Sequence, residues 1–367
     1  MATAEPVRAP SRLVYPALDG VRGLAVVLVM LHNLTILEAR DSLAAKLWVF
    51  VTDAGWVGVQ LFFVLSGVLI TGILLDERGQ PRSFRDFYVR RVLRIFPLYY
   101  LVLFVRFAIL PRFLPDTAAP FEVAIGFWLY LSNWTELPLG AINGFGHFWS
   151  LAVEEQFYLA WPLVVLRLGA RGVARVCFGL IALSAAARIA IWALDVNPHW
   201  LYMSTVARAD ALAFGALVAI ALRDDRARGW LVRFHRQVAA AAGVVMIAIV
   251  AQAHGLSRFN LFVETVGYSM LAILFAIGIS RIALDESRRR PRWAMNRALR
   301  AAGKYSYAAY VFHPLVKVAV LYDARPWLTD HGVFDHWWRD AGFVAACGAA
   351  AFVLARLSYL VLEGPLL

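Results

Sequence analysis

The stretch Trp56-Val-Gly-Val-Gln-Leu-Phe-Phe-Val-Leu-Ser-Gly-Val-Leu-Ile-Thr-Gly-Ile-Leu-Leu75 runs for twenty residues without a charge. As a helix it would be about 30 Å long at 1.5 Å per residue, the thickness of the bilayer hydrocarbon. Six arginines follow at once in 76–94. An apolar span that empties into a basic connector reads as a membrane helix arriving at the cytoplasmic face.

Working outward, further spans are expected near 18–37, 92–110, 149–168, 173–194, 207–222, 237–253, 261–281, 306–322 and 340–362. With 56–75 that makes ten. The connectors then fall into two alternating classes. Those at 76–94, 167–175, 223–236 and 281–304, with Arg8 and Arg12 of the N-terminal tail, hold 24 of the 36 Lys and Arg residues. The connectors 38–55, 111–148, 195–206, 254–260 and 323–339 hold six. This alternation survives only if the short apolar run 121–131 does not cross. The expected fold is therefore an all-α, polytopic integral membrane helical bundle. It has about ten transmembrane helices plus one short re-entrant or interfacial helix. Residues 1–17 form a cytoplasmic tail and 18–367 a single membrane domain, with both termini cytoplasmic. No segment outside the spans is long enough to fold as a soluble domain.

Composition agrees. The chain of 367 residues is 61% hydrophobic and 17% charged, against about half and a quarter for soluble domains. Two cysteines, Cys177 and Cys347, exclude a disulfide scaffold. The net charge of +11 is mostly a topology signal, so no nucleic-acid partner is expected.

Ionisable side chains inside spans are costly, and each is a functional candidate. The first span carries Asp19, Arg22 and His32, the fourth Glu154 and Glu155, the sixth Arg208 and Asp210, and the ninth His313 and Lys317. An arginine can fork a phosphate and a neutral histidine can take a hydroxyl proton. Arg22 and His32 thus suit a substrate that enters phosphate-first and reacts about 15 Å deeper. Arg91 and Arg94 share a helix face at the mouth of the third span and suit a diphosphate; a plain positive-inside anchor explains them equally well. Glu154 and Glu155 point about 100° apart, so only one can face a given site. His147 lies about two turns earlier and could share the face of Glu154. For Arg208 and Asp210 a structural ion pair is at least as good a reading as catalysis. His331 and His336 match no zinc spacing, and no metal is expected. No P-loop, GxGxxG or Gly-x-Ser-x-Gly elbow is present.

Seven stretches together resemble the acyltransferase-3 family of integral membrane O-acyltransferases, typified by bacterial enzymes that O-acetylate surface glycans and some macrolides. They are Leu18 to Ala25, Gly58 to Gly67, Phe87 through Pro97, His147 to Pro162, Arg208 to Gly215, Gly303 through Pro314, and Glu363 to Pro365, in the family's order. The resemblance implies an acyl donor, usually acetyl-CoA, arriving from the cytoplasm. It implies a hydroxyl acceptor on a glycan, lipid-linked sugar or macrolide, with the lipid bilayer as surroundings. It assigns donor binding to Arg22, Arg91 and Arg94, and catalysis to His32 and Glu154. His147 is a further catalytic candidate, with Asp19, Asp210 and His313 in support.

One position departs from the family pattern. The family's histidine follows its arginine by eleven residues, whereas His32 follows Arg22 by ten, and Asn33 stands eleventh. Eleven steps return about 20° from the starting face, and ten land about 80° away. A π-bulge could restore the face, His32 could meet the site from an offset, or His147 or His313 could be the base. The expected reaction is direct acyl transfer, with His32 or Glu154 as base and Ser66 or Ser150 as oxyanion donor; an acyl-enzyme on Ser66, Ser150 or His32 stays open. The competing classes are a carrier or transporter of a lipid-linked or anionic substrate, and a catalytically dead relative acting as a binding partner.

Overall fold

The computed structural model describes residues 15–37, 42–139, 141–253, 255–286 and 291–366. Most of the N-terminal tail, with Arg8 and Arg12, and the arginines at 288–290 lie outside them. Among the described residues there is no strand, and every expected span falls on a helix.

The first span is α1 (Pro16–Leu34), opened by a proline in its first turn. Next, α2 (Leu43–Asp53) runs through one 3-10 turn into α3 (Val57–Asp76). The outer connector expected at 38–55 is therefore largely helical, and it lengthens the second span. After α4 (Ser83–Phe104) a π turn over Val105–Ile109 leads into α5 (Leu110–Phe113).

The region 111–148 corrects an expectation. One short helix was expected, and two are present, α6 (Phe121–Trp128) and α7 (Ser132–Leu139). The break between them falls at Tyr130, whose φ of 55° no helix accommodates. At eight residues each, neither can cross a bilayer.

The fourth to sixth spans are α8 (Phe148–Arg167), α9 (Ala170–Ala193) and α11 (Thr205–Ala221), the last preceded by the short α10 (His199–Met203). Then come α12 (Asp225–Ala253) and α13 (Tyr268–Glu286), which a π turn over Val263–Gly267 introduces. The chain closes with the short α14 (Arg297–Lys304), α15 (Ser306–Asp330) and α16 (Trp337–Ser358).

Among the described residues, eight helical stretches are long and apolar enough to cross a membrane. The two remaining expected spans, α8 and α15, have 20 and 25 residues. They fall short in apolarity because they carry polar groups, Glu154, Glu155 and Gln156 on one and His313 and Lys317 on the other.

Three helices, α1, α3 and α11, form the buried centre, while α9 and α12 turn most of their surface outward. Small residues permit the close approach. A Cβ on Gly67 would lie 2.0 Å from the Leu212 carbonyl oxygen, and one on Gly215 would lie 2.1 Å from that of Val64. Membrane helices pack by such contact, since lipid supplies no hydrophobic drive between them. We expect Gly67→Ala to cost about 1–3 kcal/mol through overpacking, seen as a lower melting temperature in detergent. An unchanged melting temperature would contradict this close packing.

The far end of α1 is fastened by two charged side chains, half-buried Lys317 and buried Asp340. Lys317 Nζ donates to the carbonyls of Asn33 (2.7 Å) and Thr35 (3.0 Å), which no helix turn would satisfy. Asp340 accepts from the Ile36 amide (2.8 Å) and from Trp48 Nε1 (2.5 Å).

Candidate active site

The span with which the reading began contains three polar residues, and each meets a partner from another helix. Gln60 bonds Arg208 and the Tyr268 carbonyl. Thr71 accepts from Trp161 Nε1 at 2.8 Å. Ser66 donates to Glu154 Oε1 at 2.6 Å and accepts from the Tyr158 hydroxyl at 3.0 Å. Ser150, Glu154 and Tyr158 lie four residues apart on α8, so one face of that helix presents all three.

This face lines a cavity of about 560 Å³ between α1, α3, α4, α8 and α15. Arg22, Arg91 and Arg94 line it toward the arginine-rich end, and Asp19 lies beside Arg22. Arg22 stands within electrostatic reach of Glu154, Tyr158 and Arg91. The Arg91 guanidinium stacks 5.0 Å from the centre of the Tyr158 ring. Arg90 turns away and pairs with Glu77 at 2.6 Å.

At the opposite end the Ser150 and Tyr310 hydroxyls lie 2.5 Å apart, and both reach the His147 carbonyl at 3.1 Å. Behind them the rings of His147 and His313 pack with centroids 5.2 Å apart. His313 Nδ1 is held by the Tyr310 carbonyl (2.8 Å). Both ring nitrogens of His147 and Nε2 of His313 are buried without a well-formed hydrogen bond.

The cavity therefore gathers Arg22, Arg91, Arg94, Glu154 and Asp19. Glu155 is not part of its lining, as the 100° step along a helix requires. His147 and His313 sit one layer behind it. His32 and Asp210 stand elsewhere. Helix α1 is continuous, without a π turn, so nothing restores His32 to the face of Arg22. Its Nδ1 is 3.1 Å from the Thr52 carbonyl, and its Nε2 is 2.8 Å from Arg258 Nη1. Arginine can only donate, so the lone pair a base would use is engaged. Asp210 forms an ion pair with Arg188 of α9 at 2.9 Å, both fully buried. Its sequence neighbour Arg208 instead caps the Tyr268 ring at 3.9 Å.

Sequence reasoning missed Tyr158 and Tyr310. The latter was recoverable, because it precedes His313 by three residues and so shares its side of α15. Arg258 carried no signal, since it comes from a connector 226 residues away from His32.

Comparison with known proteins bears on what such a cavity does. Over 376 aligned residues the chain is 30% identical to the peptidoglycan O-acetyltransferase OatA of Listeria monocytogenes, covering 97% of this chain and 56% of that protein. It is 34% identical over 224 residues to the putative peptidoglycan O-acetyltransferase YrhL of Bacillus subtilis, covering 56% of this chain and 33% of the other. It is 27% identical over 319 residues to the O-acetyltransferase OatA of Staphylococcus aureus, covering 81% and 50%. The chain thus spans about half or less of the length of the curated relatives it matches. No solved structure matches it. Residues 15–359 match the acyltransferase domain, a stretch that includes every side chain lining the cavity; the chain belongs to the acyltransferase-3 family.

Proposed function

We propose that the protein transfers an acetyl group from acetyl-CoA, on the cytoplasmic side of a membrane, to a hydroxyl of a cell-wall carbohydrate on the other side. The relatives' names supply the class of group and acceptor. The alternation of arginine between connectors supports cytoplasmic termini. The observation that carries the chemistry is the 2.6 Å hydrogen bond from Ser66 to Glu154 within an arginine-lined cavity. A hydroxyl that donates to a carboxylate inside such a cavity has the geometry of a nucleophile paired with its base. It favours an acyl-enzyme over direct transfer.

Ser66 lies ten residues before the arginine-rich end of α3, a depth of about 15 Å. Arg22, Arg91 and Arg94 hold the donor phosphates while the flexible pantetheine arm reaches that depth. Ser66 Oγ attacks the thioester carbonyl and Glu154 takes the hydroxyl proton. The new C–O bond forms, the C–S bond breaks, and the sulfur leaves as CoA after receiving the proton. The Tyr158 hydroxyl faces the developing oxyanion. In the second half the acceptor hydroxyl attacks the acetyl-Ser66 ester from the Ser150–Tyr310 end. Its proton passes through Glu154 back to Ser66 Oγ.

The test is a rapid-quench measurement of CoA release in nanodiscs without acceptor. A burst of one CoA per protein is expected, with an acetyl group on the peptide that carries Ser66. Ser66→Ala should abolish the burst, and His32→Ala should keep it. Equal bursts from wild type and Ser66→Ala would remove Ser66 as nucleophile. Loss of the burst in His32→Ala alone would return the chemistry to His32.

A further inference from the structure

Beneath the catalytic cavity lies a second hollow of about 480 Å³, walled by α14, α1, α4 and the segment after α16. Five cationic side chains line it: Arg22, Arg94, Arg297, Arg300 and Lys304. Two carboxylates, Asp19 and Glu363, oppose them. Glu363 is engaged by the Ser358 hydroxyl at 3.0 Å. Among the described residues none of the five cations forms an ion pair. Arg300 Nε is buried without any partner.

A topology arginine need only stand on the correct side of the membrane. It need not converge with others on a concave surface or bury an unpaired N–H. Here the convergence is built. Arg297, Arg300 and Lys304 recur at helical spacing along one side of α14. That helix is pressed onto α1: a Cβ on Gly303 would lie 1.8 Å from the Asp19 carbonyl oxygen, and one on Gly23 would lie 1.9 Å from that of Leu299. The basic side is thereby held over the hollow. Tyr307 and Tyr359 add aromatic rings to the wall, surfaces on which a flat base can stack. The hollow and the catalytic cavity share Asp19, Arg22, Arg94, Arg300 and Tyr307 as lining. A ligand seated below would therefore send its arm upward to Ser66.

We infer that this vestibule binds the 3′-phosphorylated ADP end of the donor, with Arg297, Arg300 and Lys304 reading the ribose 3′-phosphate. The inference rests on the acetyl-CoA reading and deepens it: the protein selects its donor by the nucleotide as well as the thioester. Arg22 and Arg94, shared between the two spaces, are left to the diphosphate at the junction.

The experiment compares acetyl-CoA with acetyl-(3′-dephospho)-CoA as donors for steady-state CoA release in phosphatidylcholine nanodiscs. Wild type should show a KM about tenfold lower for acetyl-CoA, the value of one charge-assisted contact. In Arg297→Ala/Arg300→Ala the ratio should collapse toward one, through KM and not kcat. Lys304→Gln, on the exposed last turn, should narrow the ratio even if the double variant fails to fold. Equal KM values for both donors in wild type, or an unchanged ratio in the variants, overturn the vestibule assignment. So does loss of the discrimination on adding phosphatidylglycerol, which would make the hollow a site for lipid headgroups. Absence of CoA release from any thioester would instead sink the acetyl-CoA reading itself.

Discussion

Glu154→Gln is expected to lower acetyl-CoA turnover by about 10²–10⁴-fold, the usual contribution of a positioned base, with little change in KM. The substitution keeps the shape of the side chain. The amide oxygen can still accept from Ser66, so the 2.6 Å contact and the packing of α8 against α3 survive. The amide cannot carry a proton from the serine to the leaving sulfur. Glu155→Gln is the matched control, because it is adjacent in sequence and absent from the cavity lining. The measurement is kcat for CoA release, with KM read separately. A Glu154→Gln enzyme that keeps a tenth or more of wild-type turnover rules out Glu154 as base. An equal loss in Glu155→Gln would point to the electrostatics of α8 as a whole.

Much of the architecture was legible because membrane helices are encoded locally. Twenty apolar residues and an arginine cluster can be read without knowing what they touch; the helical step allowed only one of Glu154 and Glu155 to face a site, and the family resemblance named Glu154. Partners were not legible where they come from afar. Ser66 and Glu154 are 88 residues apart, and the serine sits in an otherwise largely apolar span. The arginine at 258 that engages His32 belongs to a connector with no pattern of its own. The vestibule was hidden for a different reason. Its arginines were already explained by topology, and what makes them a site is the glycine seat of α14 on α1, a property of backbone approach with no charge or periodicity to announce it.

The second large effect concerns stability, and it separates a structural carboxylate from a catalytic one. Asp210→Ala is expected to destabilise the protein by about 3–5 kcal/mol, the cost of stranding a buried partner charge. Arg188 is fully buried, and besides Asp210 Oδ2 at 2.9 Å it donates to the Ala207 carbonyl at 2.7 Å, the Thr265 carbonyl at 3.1 Å and Ser269 Oγ at 2.6 Å. Those neutral acceptors cannot balance its charge, and lipid offers no water in compensation. The double variant Arg188→Met/Asp210→Leu removes both charges and should recover most of the loss, as apolar replacements of buried pairs do. Unfolding in graded detergent checks the first claim. Turnover per folded molecule checks the second, because the network of α9, α11 and α13 acts on the reaction only by holding α11 in place. Through Gly215, α11 is what α3 packs against, and α3 carries Ser66. A double variant that folds should therefore retain Ser66 at its position and turn over near the wild-type rate. A stable Asp210→Ala protein without activity would show instead that Asp210 takes part in the chemistry, and that the ion pair with Arg188 is its resting state.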